Sequence, residues 1–328
     1  MLVESVPNVS EGRRLDVVER LADAVTSVPG VHLLDRTSDP SHNRSVFTIA
    51  GEHEAVTEGL GRLVERAVID IDMEQHRGEH PRIGAVDVIP FIPLGDTTMD
   101  QCVALAREFG GRIAAHNEIP VFLYAAAATR ADRVKLADVR RGQYEGLRVE
   151  IAQNGRQPDL GPARMHPRFG AVAVGARPFL IAWNINLDSD DVELAKRIAR
   201  RVRESGGGLP KVQANGFRVE EPERGHPLLA QVSMNLLDFG TTPLWSAWTA
   251  VAELAAEDGV ELLESELIGL APVAAFLDVA DHAGIPPNAD MDTRLRGAAD
   301  AIRLRDFSPL MALELRLAAA RETGRDRG

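Results

Sequence analysis

The stretch VHLLDRTSDPSHNRSVFTIAGEHEAVTEGLGRLVERAVIDIDMEQHRGEHPRIGAVDVIPFIP, Val31 to Pro93, carries three β-type runs and one helical run in a fixed order. Val31 to Asp35 and Ser45 to Ala50 read as strands, rich in branched and aromatic residues and joined by the polar loop SDPSHNR. From about Glu54 to Ile69 the apolar positions take up helical spacing, and Ala85 to Pro93 is an apolar strand with Pro90 near its end. Upstream, Val3 to Pro7 reads as a short strand. Leu15, Val18, Leu21, Ala22 and Val25 mark one helix face that stops before Pro29-Gly30. The order is β-α-β-β-α-β.

Downstream, Thr98 and Gln101 form a capping-box pattern that opens a helix to about His116, and Val121 to Ala125 follows as a buried strand. Arg130 to Gly155 is polar and reads as helix. The first pattern then returns at Phe179. A strand (Phe179 to Leu187), a helix (Asp191 to Glu204), the glycine run Gly206 to Gly208, strands at Val212 to Val219 and Leu228 to Leu236, a helix (Pro243 to Ala256) and a strand (Val260 to Leu267) follow. The expected fold is α+β: two related ferredoxin-like subdomains, residues 1–177 and 178–328, each a sheet with helices packed on it. Ligands in such pairs tend to lie between the halves, which directs attention to the join and the strand ends. The tail from Arg321, RETGRDRG, reads as frayed.

At 328 residues, with 45% apolar and 26% charged side chains, each half can bury a core of its own. The formal charge of -12 disfavours nucleic acid and anionic membranes as partners, so an anionic ligand needs a local basic pocket. LVESVPN after Met1 is not a secretory leader and no run of eighteen apolar residues occurs, which predicts a cytoplasmic protein. The single cysteine, Cys102, has no partner for an internal disulfide and reads as one buried position of a helix.

Four segments concentrate reactive side chains. HRGEHPRIGAVDVIPFIP, His76 to Pro93, holds His76, Glu79, His80, Arg82 and Asp87 ahead of an apolar strand. The histidines are four apart, a spacing that suits a metal on a helix, but Gly78 and Pro81 oppose regular helix there and a third ligand is not evident. Incidental surface histidines and a loop general acid/base are the other readings; an imidazole can accept and return a proton near neutral pH. SDPSHNRSVFT places Asp39, His42, Asn43 and Arg44 in a loop feeding a strand. Arg44 could fork onto a substrate carboxylate or pair with Asp35 or Asp39. In PNVSEGRR, Ser10 or Asn8 could cap the first helix, or the helix N-terminus could hold an anion. Gly161 to Leu187 is rigid and basic at its start, with Arg164, His166 and Arg168 in an otherwise acidic chain; it suits an anionic ligand or a plain linker. GxxxxGKS and GxGxxG are absent, so ATP and dinucleotides are poor candidates. Asn184 and Asn186 alternate on a strand, where their amides would read a heterocycle edge or close a polar core.

Taken in order, VPNVSEGR, HNRSVFTIAG, HRGEHPRIGAVDVIPFIP, FGAVAVGARPFLIAWNINL and QVSMNLLDF resemble the formiminotransferase family over roughly residues 1 to 300. The resemblance implies formimino transfer from N-formimino-L-glutamate to N5 of tetrahydrofolate as co-substrate, in histidine breakdown and one-carbon metabolism, by what is commonly a homodimer; the residues themselves lead us to expect no metal. It assigns catalysis to the histidine of GEHPR, His80, and folate binding to Gly161, Pro162, Ala163, Arg164, Met165, His166, Pro167, Arg168, Phe169 and Gly170. Arg82, Arg44, Asp39 and His42 are the supporting candidates. Animal members carry an acid where this chain has Thr37, so a helper role falls to Asp39 or His42, and formyl transfer between 5-formyltetrahydrofolate and glutamate stays open as the donor chemistry. A folate-binding protein without catalysis is the non-enzymatic alternative.

Overall fold

The computed structural model describes residues 1–221 and 225–325. The chain divides into two compact units, Met1–Pro178 and Phe179–Thr323.

In the first unit, strands β1 (Leu2–Ser5) and β2 (Asn8–Val9) are halves of one broken inner strand, and both pair antiparallel with β4 (Arg44–Glu52) and β5 (Val86–Pro93). The break explains how Pro90 sits in the middle of β5. Glu4 faces Ile92 and Asn8 faces Val88, so Pro90 falls opposite the gap and its missing N–H costs no ladder bond. Strand β3 (Val31–Asp39) pairs with β4 on the far side. The polar loop expected between them is shorter than SDPSHNR: Ser38, Asp39 and Arg44 belong to the strands and Asp39 pairs with Arg44, which leaves a four-residue tip.

Helices α1 (Leu15–Thr26), α2 (His53–Asp70) and α3 (Met99–Asn117) cover one face with an apolar core that includes Val18, Leu21, Leu60, Phe47, Phe91 and Phe109. The Thr98/Gln101 capping box is present, and Cys102 is buried on α3 with its thiol pushed up to about 11 by burial. Beyond β5 the sheet continues through β7 (Val172–Ala176) to β6 (Val121–Ala125), both parallel to their neighbours. Strand β7 was not legible: its small residues sit at the end of the basic segment. Gly175 is required because a side chain there would strike the Tyr124 ring. The 130–155 region is not one helix. It is a 3-10 turn, α4 (Leu136–Val139) and α5 (Gln143–Glu150), broken where Gly142 and Gln143 both take positive φ. These pieces cover the opposite face of β5, β6 and β7 through Val88, Phe122, Tyr124, Val139, Leu147 and Ile151.

The second unit holds a four-stranded antiparallel sheet in the order β11 (Leu262–Ile268), β8 (Ile181–Leu187), β10 (His226–Leu236), β9 (Val212–Glu221), with α6 (Val192–Val202) and α7 (Leu244–Ala256) between strands in sequence. In both units the four strands of the β-α-β-β-α-β run lie fourth, first, third, second across the sheet. Asn184 and Asn186 close a polar network. They donate to Glu266 and Glu264, Gln231 donates to Asn186, and Arg305 bonds both glutamates. Helices α8 (Val273–His282), α9 (Met291–Ala301) and α10 (Leu313–Arg325) complete the unit and had no sequence expectation. The tail expected to fray from Arg321 is helical to Arg325, and the remainder lies outside the described residues. Among the described residues no helix is long and apolar enough to cross a membrane.

Candidate active site

Three of the four reactive segments meet in the first unit. The tip of the β3–β4 hairpin is the meeting point, and Asn43, in the left-handed region, is its hub. Its Oδ1 accepts from the Gly12 amide (3.0 Å), its Nδ2 donates to the Arg77 carbonyl (2.9 Å), and its own carbonyl receives His76 Nε2 (3.0 Å). Gly12 lies so close to the hairpin neck that a side chain would come within 2.5 Å of the Asp39 carbonyl, and Gly78 presses on the His42 carbonyl in the same way. Ser10 does not cap α1. Its hydroxyl donates to the Gly84 carbonyl (2.7 Å), and Asn8 belongs to β2. The buried Glu11 carboxylate accepts from the amides of Arg13 (3.0 Å) and Arg14 (2.9 Å) just ahead of α1, whose N-cap residue Arg14 makes no side-chain capping bond.

His76 is a structural histidine. Arg82 Nε donates to its Nδ1 (3.2 Å), which leaves Nε2 as the protonated nitrogen that bonds Asn43. With both nitrogens engaged it cannot share a metal with His80. Among the described residues, one group with metal-like spacing is found, Glu52, His53 and Glu54 at the start of α2. Buried Arg82 spends its fork on Glu145 (2.6 and 3.0 Å) and also bonds Gln143 (3.0 Å), so it anchors the loop to α5.

His80 is 8% exposed and, among the described residues, its ring makes no hydrogen bond. Burial holds its proton affinity far below the ordinary imidazole value, to about 3, reinforced by positive charge from Arg44, Arg140, His42 and Arg82. It is therefore neutral at neutral pH. Half-buried Arg44 has, among the described residues, no hydrogen bond or ion pair to its guanidinium; burial and the neighbouring Arg140 lower its pKa. Arg140, on the turn after α4, bonds fully buried Asp87, whose other oxygen accepts the Ile83 amide (2.8 Å). Burial pushes the Asp87 carboxyl up against the opposing pull of Arg140. Arg140 escaped the sequence reading. The only signal was Asp87 itself, a lone acid in an apolar strand that demands a cation, without any indication of which.

The segment from Gly161 to Gly170 joins the stretch that follows His80 at its far end: the Ala85 amide donates to the Phe169 carbonyl (2.7 Å), the Ala171 amide donates to the Ile83 carbonyl (3.0 Å), and Gly84 bridges Gly170. His166 and Gly170 exchange backbone bonds (both 3.0 Å) around a tight turn, and His166 Nδ1 accepts the Phe169 amide (3.0 Å). Arg168 donates to the Val68 and Ile69 carbonyls near the end of α2, and exposed Arg164 pairs with Glu118 (3.0 Å). Both arginines thus have partners. Ala163 to Pro167 line a cleft of about 410 Å³ together with Ile151, Ala152, Tyr144, Arg148 and Glu74. Glu74 accepts from the Tyr144 hydroxyl (2.9 Å) and Arg148 (2.6 Å). Helix α5 therefore serves both places: Gln143 and Glu145 hold the His80 loop through Arg82, while Tyr144 and Arg148 line the cleft.

Residues 2–177 match the family model described as formiminotransferase domain, N-terminal subdomain, and residues 182–288 match the one described as formiminotransferase domain. A glutamate formimidoyltransferase of Streptococcus pyogenes serotype M1 is 43% identical over 281 residues, covering 86% of this chain and 92% of that protein. One from Thermoplasma acidophilum is 44% identical over 283 residues, covering 86% and 91%. The formimidoyltransferase-cyclodeaminase of Sus scrofa is 45% identical over 285 residues, covering 85% of this chain and 52% of that longer protein. Matched by both family models and by these relatives over most of its length, this chain belongs to the formiminotransferase family.

Proposed function

We propose that the chain moves a formimino group from N-formimino-L-glutamate to N5 of tetrahydrofolate, giving 5-formiminotetrahydrofolate and L-glutamate. The observation that carries this reading is a buried, neutral His80 set among cations, beside an arginine with no partner among the described residues. Attack of N5 on the formimino carbon requires one proton to leave N5 and one to reach the departing glutamate nitrogen, and a neutral imidazole can take the first. Arg44, with Arg140 behind it, receives a substrate carboxylate. That anion offsets the positive charge on His80 and raises its proton affinity when the substrate is present, which matches the base to its task only in the complex. Arg82 is a positioning residue. The folate lies against Gly161 to Gly170, with the cleft lined by Tyr144 and Arg148 taking part of it, and the scheme uses no metal. The protein acts in the cytoplasm as a homodimer on small molecules, without nucleic acid or membrane.

Mixing the protein with tetrahydrofolate and N-formimino-L-glutamate, and following the folate by absorbance, should give the 5-formimino product. N-formyl-L-glutamate in place of the donor should give little. Product from the formyl donor alone would move the assignment to formyl transfer, and product from neither would leave a folate-binding protein.

A further inference from the structure

We propose that His42, held by Asp39, is a second proton-transfer group of this site, acting opposite His80. Asp39 Oδ1 accepts the amides of Ser41 (2.8 Å) and His42 (2.9 Å), and its Oδ2 lies 2.6 Å from His42 Nδ1. These bonds hold the Asp39 carboxyl below its ordinary value, the His42 amide contributing most. An ionised carboxylate only accepts, so Nδ1 carries the proton and Nε2 is the nitrogen turned away from Asp39. Asp39 is also the counter-charge for the ring when both nitrogens are protonated.

A surface turn has no need of the anchorage this one receives. Arg13 Nε donates to the Pro40 carbonyl (2.7 Å), Asn43 bonds Gly12 and Arg77, and Gly78 of the His80 loop packs on the His42 backbone. The charged groups around the tip are Asp39, Arg13, Arg44 and Arg77. Gly78, two residues before His80, lies against the His42 carbonyl, so the two histidines sit on touching segments, and positive charge on His42 adds to what lowers the proton affinity of His80. Thr37, paired with Val46 on exposed strand, offers no acid or base there.

The division of labour closes chemically. As the N5–C bond forms, the N5 proton passes to neutral His80. As the bond from carbon to the glutamate nitrogen breaks, that nitrogen takes the Nε2 proton of a doubly protonated His42 ring whose charge Asp39 balances, leaving the Nδ1–H neutral form. The proton on His80 then returns to His42 through solvent, so the enzyme ends each turnover as it began.

This inference rests on the proposed transfer, and a kinetic cycle separates the two. Asp39→Asn keeps an oxygen for the Ser41 and His42 amides but presents N–H to Nδ1 and removes the counter-charge, which disfavours the doubly protonated ring from which Nε2 donates. His42→Ala and Asp39→Asn should each lower kcat about 100-fold while the KM of both substrates stays within about threefold. The double variant should be no slower than the worse single one, because Asp39 acts through His42. Normal wild-type turnover with His42→Ala within about twofold of it, or a double variant whose losses multiply, would overturn this inference alone. Absent wild-type turnover would overturn the proposed transfer and this inference with it. Folate binding by each variant reports that the fold is intact.

Discussion

Acidification should weaken this protein through His80 in a way one substitution removes. The ring is neutral when folded, with a pKa of about 3, and returns to the ordinary histidine value of about 6.5 when unfolded. Between those values the unfolded chain binds the extra proton, so stability is fully present above about pH 6.5 and is lost as pH falls. From pH 7 to pH 5 the loss from this one group is about 2 kcal/mol, at about 1.4 kcal/mol for each pH unit in which only the unfolded form is charged. The figure holds as long as the folded value stays below 5. Burial also lowers the affinities of His76 and His166, so the wild type must be compared with His80→Gln, which retains both. Urea unfolding of both proteins at the two pH values should show the wild type losing about 2 kcal/mol more than the variant. Equal losses would mean that His80 titrates normally when folded, and the electrostatic account of the site would fail.

Other substitutions probe the remaining parts. Arg44→Ala should raise the KM of the formimino donor about 10- to 100-fold, the scale of one charged hydrogen-bonding partner, as measured by initial rates. Arg82→Ala frees Glu145 and His76 and should cost about 1 to 3 kcal/mol in denaturant unfolding; Arg82→Lys should recover little of it, since the fork is lost. Gly78→Ala should lower kcat more than about tenfold by forcing the His80 loop off the hairpin tip. Gly111→Ala, in the open on α3, should leave kcat unchanged and raise stability by up to about 1 kcal/mol.

What was legible followed from periodicity and punctuation. The strand and helix stripes of Val31 to Pro93 and their return at Phe179 depend on alternation and on 3.6-residue spacing, which the folded cores preserve. Strand β7 was hidden because a strand buried on both faces need not alternate, and here its residues are small. The 130–155 region misled because polarity alone does not distinguish one helix from short turns. In the site, His80 and Arg44 stood out by residue type and position. The sorting of Arg82, Arg164 and Arg168 into partnered arginines, and of Arg44 into the guanidinium left over, depends on Glu145, Glu118 and the end of α2. Those pairings span 63, 46 and 99 residues, and a linear reading has no access to them. Arg140 was missed for the same reason: its partner Asp87 is 53 residues away.

The most direct measurement sets wild type and His80→Ala side by side with N-formimino-L-glutamate and tetrahydrofolate, recording both turnover and folate affinity. The wild type should form 5-formiminotetrahydrofolate, while His80→Ala should bind folate within a few-fold yet turn over at least about 100-fold more slowly. A folded His80→Ala protein with near-normal turnover would remove His80 from the chemistry and contradict the account at its centre.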